Sequence, residues 1–573
     1  MAHHINHTSR IRLISSLLVF AVGFIILRLF FVQVVNGSYY SEIADRQYAT
    51  PRGSIFDRGS IFFKEIDGKL ISAAGLKSGY IVAVNPQKIT NAEELYLNLK
   101  KYIPELEHDT FIKKATKEKD PYEEIAHRVS RESVDAITAL KAPGVSAYKE
   151  KWRFYPAGEM AAQTIGFTAY KGDVIGGRYG LERQYDGILE RGKNGLYVNF
   201  FAEVFSSLRS NLSSDVLDKE GDLVLTMDPS VQSYVEKVAK EINKKYDSEE
   251  TGAIVINPND GSIYAIVITP SFDLNKFQDV ENAGIFSNPL VENVYEMGSI
   301  VKPLTMAVAL DKGVVTAKTT YNDTGSLTFN GYTIYNYDKR GRGVTTMQNV
   351  LDESLNTGAA YAMQKVGKED FKKYFLAFGL AERTGIDLPN EGRNLISNLN
   401  TNRDIEFVNA SYGQGIALTP ISMVRALAVL GNGGFIITPH LVSEIDYKGG
   451  LNKVIETPKG AQVLKKETSE EITRMLVEVV DKALLGGAVK MQHYSIAAKT
   501  GTAQIALPNG KGYYEDRYLH SFFGYFPAYN PKFLIFIYTK FPKGEKYASH
   551  TLTYPFIDIT KFLLSYYEVP PDR

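Results

Sequence analysis

The chain has no cysteine, which excludes thiolate catalysis, disulfide cross-links and cysteine metal sites while leaving the redox compartment open. Its nine histidines form no H-E-x-x-H, so the zinc-protease pattern is missing too, and no metal or other cofactor is expected. Net charge is absent as well: 65 Lys+Arg stand against 65 Asp+Glu. That balance offers nothing to a polyanion, and nucleic acid is not expected as a partner. No internal repeat and no extra C-terminal module is visible.

What is present begins with a long apolar run. Residues 13–35, "LISSLLVFAVGFIILRLFFVQVV", are long enough to cross a bilayer as a helix, which takes about 20 residues. Arg28, the one charge inside, would snorkel or face a partner helix. Arg10 and Arg12 precede the run and Glu42 and Asp45 follow it. The positive-inside rule therefore predicts a cytoplasmic tail over 1–12, a transmembrane helix over 13–35 and the rest extracytoplasmic, in a single-pass protein of the cytoplasmic membrane. No small-residue cleavage site follows, which favours an anchor over a removed signal. A buried helix of a soluble domain is the structural alternative.

At 573 residues two or three domains are expected beyond the tail. Residues 36–215 are mixed, with strand-like "GYIVAVN" and "GLYVNFFAEVF", lysine-rich helical patches over 93–142, and no visible chemistry. A serine-rich break, "SSLRSNLSSD", leads to a second region over 216–573. There Asp228 and Pro229 predict a helix start, and Val231, Val235, Val238 and Ile242 form one apolar stripe. "GAIVINPNDGSIYAIVI" reads as a hairpin turning at Asn259, Asp260 and Gly261. Helical segments are expected over 347–378 and 421–430, strands at "SIAAKTGTAQI", "SFFGYFPA" and "KFLIFIYTKFP", and a packed helix at "YPFIDITKFLLSYY". Strands at both ends with helices between predict an α+β domain. Its single antiparallel sheet, flanked by helices, joins the first and last segments.

"YEMGSIVKPLTMAVALDKG" places Ser299 three residues before Lys302 at the head of an apolar helical run. Alone, this is an ordinary N-cap beside a solvated lysine. "DESLNTGAA" carries Ser354 and Asn356, and "AAKTGTAQ" carries Lys499, Thr500, Gly501 and Thr502. Singly these are a helix-boundary cap and a strand ending in a turn. Together they make chemical sense. A serine hydroxyl needs a neighbouring base, and residues three apart on a helix share a face. Lys302 serves as that base only if burial or a nearby positive charge removes its proton, and Lys499 is the obvious neighbour. The helix start favours negative charge on Ser299. Pro303 lacks an amide hydrogen and predicts an irregular first turn.

The order Ser-x-x-Lys, Ser-x-Asn, Lys-Thr-Gly is that of penicillin-binding proteins and serine β-lactamases. The chain resembles the class B penicillin-binding proteins, membrane-anchored peptidoglycan D,D-transpeptidases. "RGSIFDRGS", "RFYPAGEMAAQTIGF" and "YGLERQYDGIL" are similar to that family's pedestal, with Arg52, Gly53, Asp57, Arg58 and Glu182 on its signature positions. "YGQGIALTPISMVRALAVLGNGG" and "SFFGYFPAYNP" are similar to segments of its catalytic domain. The resemblance implies an elongated, dimerisation-like pedestal over 36–215 and a transpeptidase domain over 216–573.

It also implies roles. Ser299 would attack the D-Ala-D-Ala bond of a stem peptide, and Ser354 would relay a proton to the leaving amine. Asn356 would bind a substrate amide, and Gly501 would let an extended substrate lie against its strand. Lys499, Thr500 and Thr502 would meet the substrate carboxylate, with the N–H groups of Ser299 and Thr502 as oxyanion hole. β-Lactams would acylate Ser299. A membrane-embedded glycan polymerase and other division proteins are the expected partners, and the septal type is favoured over the elongation type.

There are departures: Met297 where the family has Pro, no Asn between Arg58 and Gly59, and Gly487 to Ala488 where a Thr is usual. Two rival readings remain. One is a hydrolase, a D,D-carboxypeptidase or β-lactamase, with Glu391 of "LPNEGRNL" as the candidate for deacylation. The other is a catalytically silent scaffold, which the six intact motif side chains oppose.

Overall fold

The structure, a computed structural model, describes residues 56–117, 120–172, 174–191, 220–448, 450–507 and 512–573, together with Phe20, residues 22–25 and Arg28. The expected span over 13–35 therefore lies almost wholly outside the described residues, as do Arg52, Gly53, "GLYVNFFAEVF" and the serine-rich break. Among the described residues no helix is long and apolar enough to cross a membrane.

The described residues form two compact units, the smaller over 77–152 and the larger over 58–76, 153–191 and 220–573. In the smaller unit the lysine-rich stretch makes three short helices, Ala92–Lys100, His108–Ala115 and Arg131–Ala139. Asn91 and Ser130 cap two of them by accepting from Glu94 N and Ser133 N. Their apolar faces meet in a core of Val82, Val84, Leu99, Phe111, Val134 and Ile137.

In the larger unit Asp228 accepts from the N–H groups of Ser230 and Val231 and starts helix α1, Pro229–Lys245. The expected stripe of Val231, Val235, Val238 and Ile242 is its buried face. The hairpin forms strands β1 (Glu250–Ile256) and β2 (Ile263–Thr269). Late in the chain come β3 (Ala497–Ala506), β4 (Tyr513–Phe526) and β5 (Phe533–Lys540). All five pair antiparallel in the order β3-β4-β5-β1-β2, so the first and last segments meet as expected. β1 and β5 are buried along nearly their whole length. Helices cover both faces: α1 and the closing helix Thr553–Tyr566 share a core with Ala253, Val255, Phe522 and Ile535, whereas Ile254, Phe523 and Phe536 belong to the other core.

That second core contains α2 (Lys302–Asp311), α3 (Met347–Asp352), α4 (Asn356–Val366) and α5 (Lys466–Glu478). The helical stretch expected over 347–378 is thus broken, at Ser354 with φ 56° and at Gly367 with φ 83°. Neither break was legible from hydrophobic periodicity, because apolar residues continue on both sides of each.

Within the larger unit, Glu182 is a fully buried carboxylate. It accepts from Arg58 Nε at 2.6 Å and from Arg153 Nε at 2.5 Å, with Tyr155 Oη at 3.3 Å. Arg58 Nη2 also donates to the Glu182 backbone oxygen and Arg153 Nη1 to that of Gly59. The Arg58–Glu182 pair thus ties segments more than a hundred residues apart.

Candidate active site

Ser299 lies in a 3-10 turn, Gly298–Val301, that precedes α2. Pro303 occupies the first turn of α2, and the expected irregularity is this change from tight to α-helical winding. The turn is pinned from the far side. Gly298 N donates to Gly413 O at 3.1 Å, and Tyr295 and Leu418 exchange a pair of 2.9 Å backbone bonds. Gly413, with φ 82°, has no room for a side chain, since a Cβ there would lie 2.2 Å from Gly298 O. The "YGQGIALTP" segment therefore holds the serine's turn in place.

Lys302 is 1% exposed and Lys499 3%. Burial, and then the charge of Lys499, hold the Lys302 amine well below the usual lysine range. Burial also lowers Lys499, to about 8, but the nearby Asp352 carboxylate opposes that. Two buried amines within reach of each other cannot both stay charged. Lys499, which has the counter-charge, is the better holder of the proton, and the same balance favours the free-base form of Lys302. Asp352 is held by Gln348, whose Nε2 donates to its Oδ1 at 2.9 Å. Sequence reasoning missed Asp352; the available signal was an acid two residues before Ser354.

Lys302 Nζ donates to Ser354 O at 2.5 Å and lies 3.2 Å from Ser354 Oγ. Ser354 can present both atoms because of its backbone. Helix α3 ends at Asp352, Glu353 is the C-cap, and Ser354 takes the left-handed position usually given to glycine. Leu355 N donates back to Val350 O at 3.0 Å, closing a Schellman turn. Asn356 opens α4 and its Nδ2 donates to Tyr335 O at 2.8 Å, so its amide hydrogens are partly engaged without substrate.

Lys499, Thr500, Gly501 and Thr502 lie on β3, which among the described residues pairs with β4 alone and forms the edge of the sheet. An extended peptide can add to such an edge. Gly501 is also required from the inner side of the strand. A Cβ there would meet Ser521 Oγ at 2.4 Å and Met297 O at 2.8 Å, so the missing side chain makes room for the turn behind Ser299. Ser521 Oγ in turn donates to Met297 O at 3.0 Å. Thr502 Oγ1 accepts from Ala548 N at 3.1 Å. Lys499 Nζ donates to Thr500 O at 3.3 Å.

Two other expectations find their places. The Glu391 carboxylate is buried and accepts from Thr384 N and Gly385 N at 2.5 and 3.2 Å, which employs it as a loop cap. At the Gly487 to Ala488 departure, a Cβ on Gly487, with φ 81°, would lie 2.7 Å from Asp481 O, so the tight turn itself demands glycine. Glu296, three residues before Ser299, was not singled out from the sequence. Burial pushes its carboxyl up to about 7, and Tyr513 Oη donates to it at 3.0 Å.

Comparisons with known proteins place the chain among relatives. Residues 251–559 match the penicillin binding protein transpeptidase domain family, and residues 47–203 match the penicillin-binding protein dimerisation domain family. Stage V sporulation protein D of Bacillus subtilis (strain 168) is 30% identical over 563 residues, covering 96% of this chain and 85% of that protein. Peptidoglycan D,D-transpeptidase FtsI of Escherichia coli (strain K12) is 27% identical over 571 residues, covering 96% and 91%. The fold is shared with the crystal structure of penicillin binding protein 3 of Mycobacterium tuberculosis in complex with aztreonam, at TM-score 0.68 and 21% identity over 91% of this chain and 98% of that one. A transpeptidase domain preceded by a dimerisation domain, in a chain alignable almost end to end with these relatives, leads to one assignment: the chain belongs to the class B penicillin-binding proteins.

Proposed function

We propose that this chain is a peptidoglycan D,D-transpeptidase that cross-links stem peptides in septal wall synthesis through a serine acyl-enzyme. The observation that carries the reading is the buried amine of Lys302, three residues after Ser299 and in contact with Ser354, whose burial and neighbouring Lys499 favour its free-base form.

Lys302 takes the Ser299 proton as Oγ attacks the carbonyl carbon of the D-Ala-D-Ala bond. The tetrahedral oxyanion lies against the N–H groups of Ser299 and Thr502. The Ser354 hydroxyl passes the proton from Lys302 to the leaving nitrogen, and D-Ala departs. An acceptor amine from a neighbouring strand then attacks the ester, its proton returns along the same path, and Ser299 is released. Charged Lys499, with Thr500 and Thr502, holds the donor's terminal carboxylate, and Asn356 binds a donor amide. β-Lactams, which offer a carboxylate beside a strained amide, acylate Ser299. The loop role of Glu391 argues against a β-lactamase type of deacylation through that residue; a D,D-carboxypeptidase does not need it, and product analysis with and without an amine acceptor separates that reading.

The same reading places a pedestal over 36–215 and the catalytic domain over 216–573, anchored by 13–35 with the catalytic domain outside the cytoplasmic membrane. Arg28 within that anchor is the contact for a membrane-embedded glycan polymerase; unchanged co-purification of the polymerase with Arg28→Leu would refute that contact. The test of the chemistry is fluorescent-penicillin labelling with intact-mass analysis. A stable adduct on wild type that vanishes in Ser299→Ala is expected. No adduct on folded wild type would favour a scaffold, and rapid release of hydrolysed penicillin a hydrolase.

A further inference from the structure

His520 is fully buried on β4, directly across from Thr502 of β3 in the strand register. Its two ring nitrogens both face the segment that follows β5. Nε2 lies 3.0 Å from Lys546 O, and Nδ1 lies 2.9 Å from Thr551 Oγ1. A carbonyl oxygen only accepts, so Nε2 carries the hydrogen and Nδ1 is the acceptor for the Thr551 hydroxyl, whose hydrogen it shares with Ala548 O at 3.3 Å. Between those two ties lie Tyr547 and Ala548, and Ala548 N donates to Thr502 Oγ1 at 3.1 Å. Residues 546–551 are thus a strap fastened at both ends to His520 and in the middle to Thr502.

The strap also reaches the opposite wall. The Tyr547 ring meets Tyr337 edge to face, with centroids 5.8 Å apart and an interplanar angle of 80°. Tyr337 is two residues beyond Tyr335, whose oxygen receives the Asn356 amide. A continuous set of contacts therefore joins the Lys-Thr-Gly strand to the Ser-x-Asn side.

We propose that His520 is a positioning residue for acyl transfer: by fixing the strap it makes the Ala548 N–H occupy one lone pair of Thr502 Oγ1 and so aims the hydroxyl hydrogen at the substrate carboxylate. The proposal rests on the assignment of Thr502 to carboxylate binding. A hydroxyl that accepts one bond can still donate one, and a donor aimed in advance avoids the reorganisation a freely rotating hydroxyl would need. Burial keeps the imidazole neutral, its pKa pulled down to about 4, so the tautomer that fastens the strap persists across the physiological range.

The test compares acylation rate constants of the full chain for benzylpenicillin and for its methyl ester, which lacks the carboxylate. His520→Leu keeps the volume and removes both ties. It is expected to slow the free acid about tenfold, the scale of one hydrogen bond to a charged group, and to slow the ester less than about twofold. His520→Gln, which returns a donor near the Nε2 position, restores most of the rate. Thr551→Val, a milder change that keeps the helix Ala548–Thr551, shows the same preference for the ester with a smaller loss. Equal losses on acid and ester, or no loss on either, would overturn the positioning role while leaving the acyl-transfer reading intact. Wild type acylated by neither compound would overturn both.

Discussion

The amine of Lys302 lies 2.5 Å from the backbone oxygen of Ser354, a residue held at a left-handed φ of 56°. The unfavourable backbone goes with the contact: in this conformation the Ser354 carbonyl and hydroxyl both face the Lys302 amine of α2. Stability and chemistry therefore compete at this position.

Ser354→Gly should make the competition measurable. Relief of the left-handed serine should stabilise the fold by about 1 kcal/mol, raising the midpoint of thermal unfolding. Loss of the hydroxyl should lower the acylation rate by about 10²-fold. A variant that is stabler and equally fast would remove Ser354 from the proton path.

Lys302→Met should keep the packing of a buried chain while removing the base. The acylation rate constant for penicillin is expected to fall by about 10²–10⁴-fold, with circular dichroism unchanged. Retention of the wild-type rate would assign the base elsewhere.

The acylation rate should be bell-shaped in pH. It rises as Lys302 loses its proton, at a pH well below the ordinary lysine value. It falls above about pH 8, where Lys499 discharges. Asp352→Asn removes the carboxylate that sustains the Lys499 charge, so the alkaline limb should move to lower pH. Stability follows by linkage. Both folded amines titrate below the unfolded value of 10.5, so the unfolded chain binds more protons, and stability should rise with pH across the window from about 8 to 10.5. An alkaline limb that stays put in Asp352→Asn would refute the pairing.

Gly501→Ala should cost about 1–3 kcal/mol, because its Cβ would lie 2.4 Å from Ser521 Oγ. Adding Ser521→Ala removes that oxygen and should recover part of the loss. Urea unfolding of the four members of the cycle measures the coupling. Strict additivity would mean that the obstacle lies at Met297 O and Ile300 Cγ2 instead.

Glu182→Gln should destabilise by about 3–5 kcal/mol, since the buried Arg58 and Arg153 would lose their shared counter-charge. Glu93→Gln, at an exposed pair with His108, should leave the urea midpoint essentially unchanged. Similar values for both in urea unfolding would contradict the network.

Much of this was legible beforehand, and the reason is local. The Asp228 cap, the Asn259 to Gly261 turn and the short apolar run of "KFLIFIYTKFP" act through near neighbours in the chain. Ser299 and Lys302 were legible because one helical turn brings them together. Lys499 was reached only through the order of motifs. What could not be read depended on contacts between distant segments: the carboxylate of Asp352, the strap fastened to His520, and the oxygen atoms behind Gly501. The left-handed Ser354 was hidden for another reason. A serine gives no sign of positive φ, whereas a glycine at that place would have announced the end of α3.

The meeting of β1 with β5 has a consequence for how the chain becomes folded. Ile254 is registered with Phe536, so the central pair of the sheet joins residues nearly three hundred positions apart. Such a contact carries a large loop-closure entropy and forms late. The sheet cannot close until almost the whole chain is available. Any polypeptide ending before residue 533 lacks its middle strand and leaves β1 and β4 with open edges, prone to pair with other chains. Folding of this sheet therefore waits for residues 533–540, and a polypeptide that ends between β4 and β5 presents two unpaired strand edges.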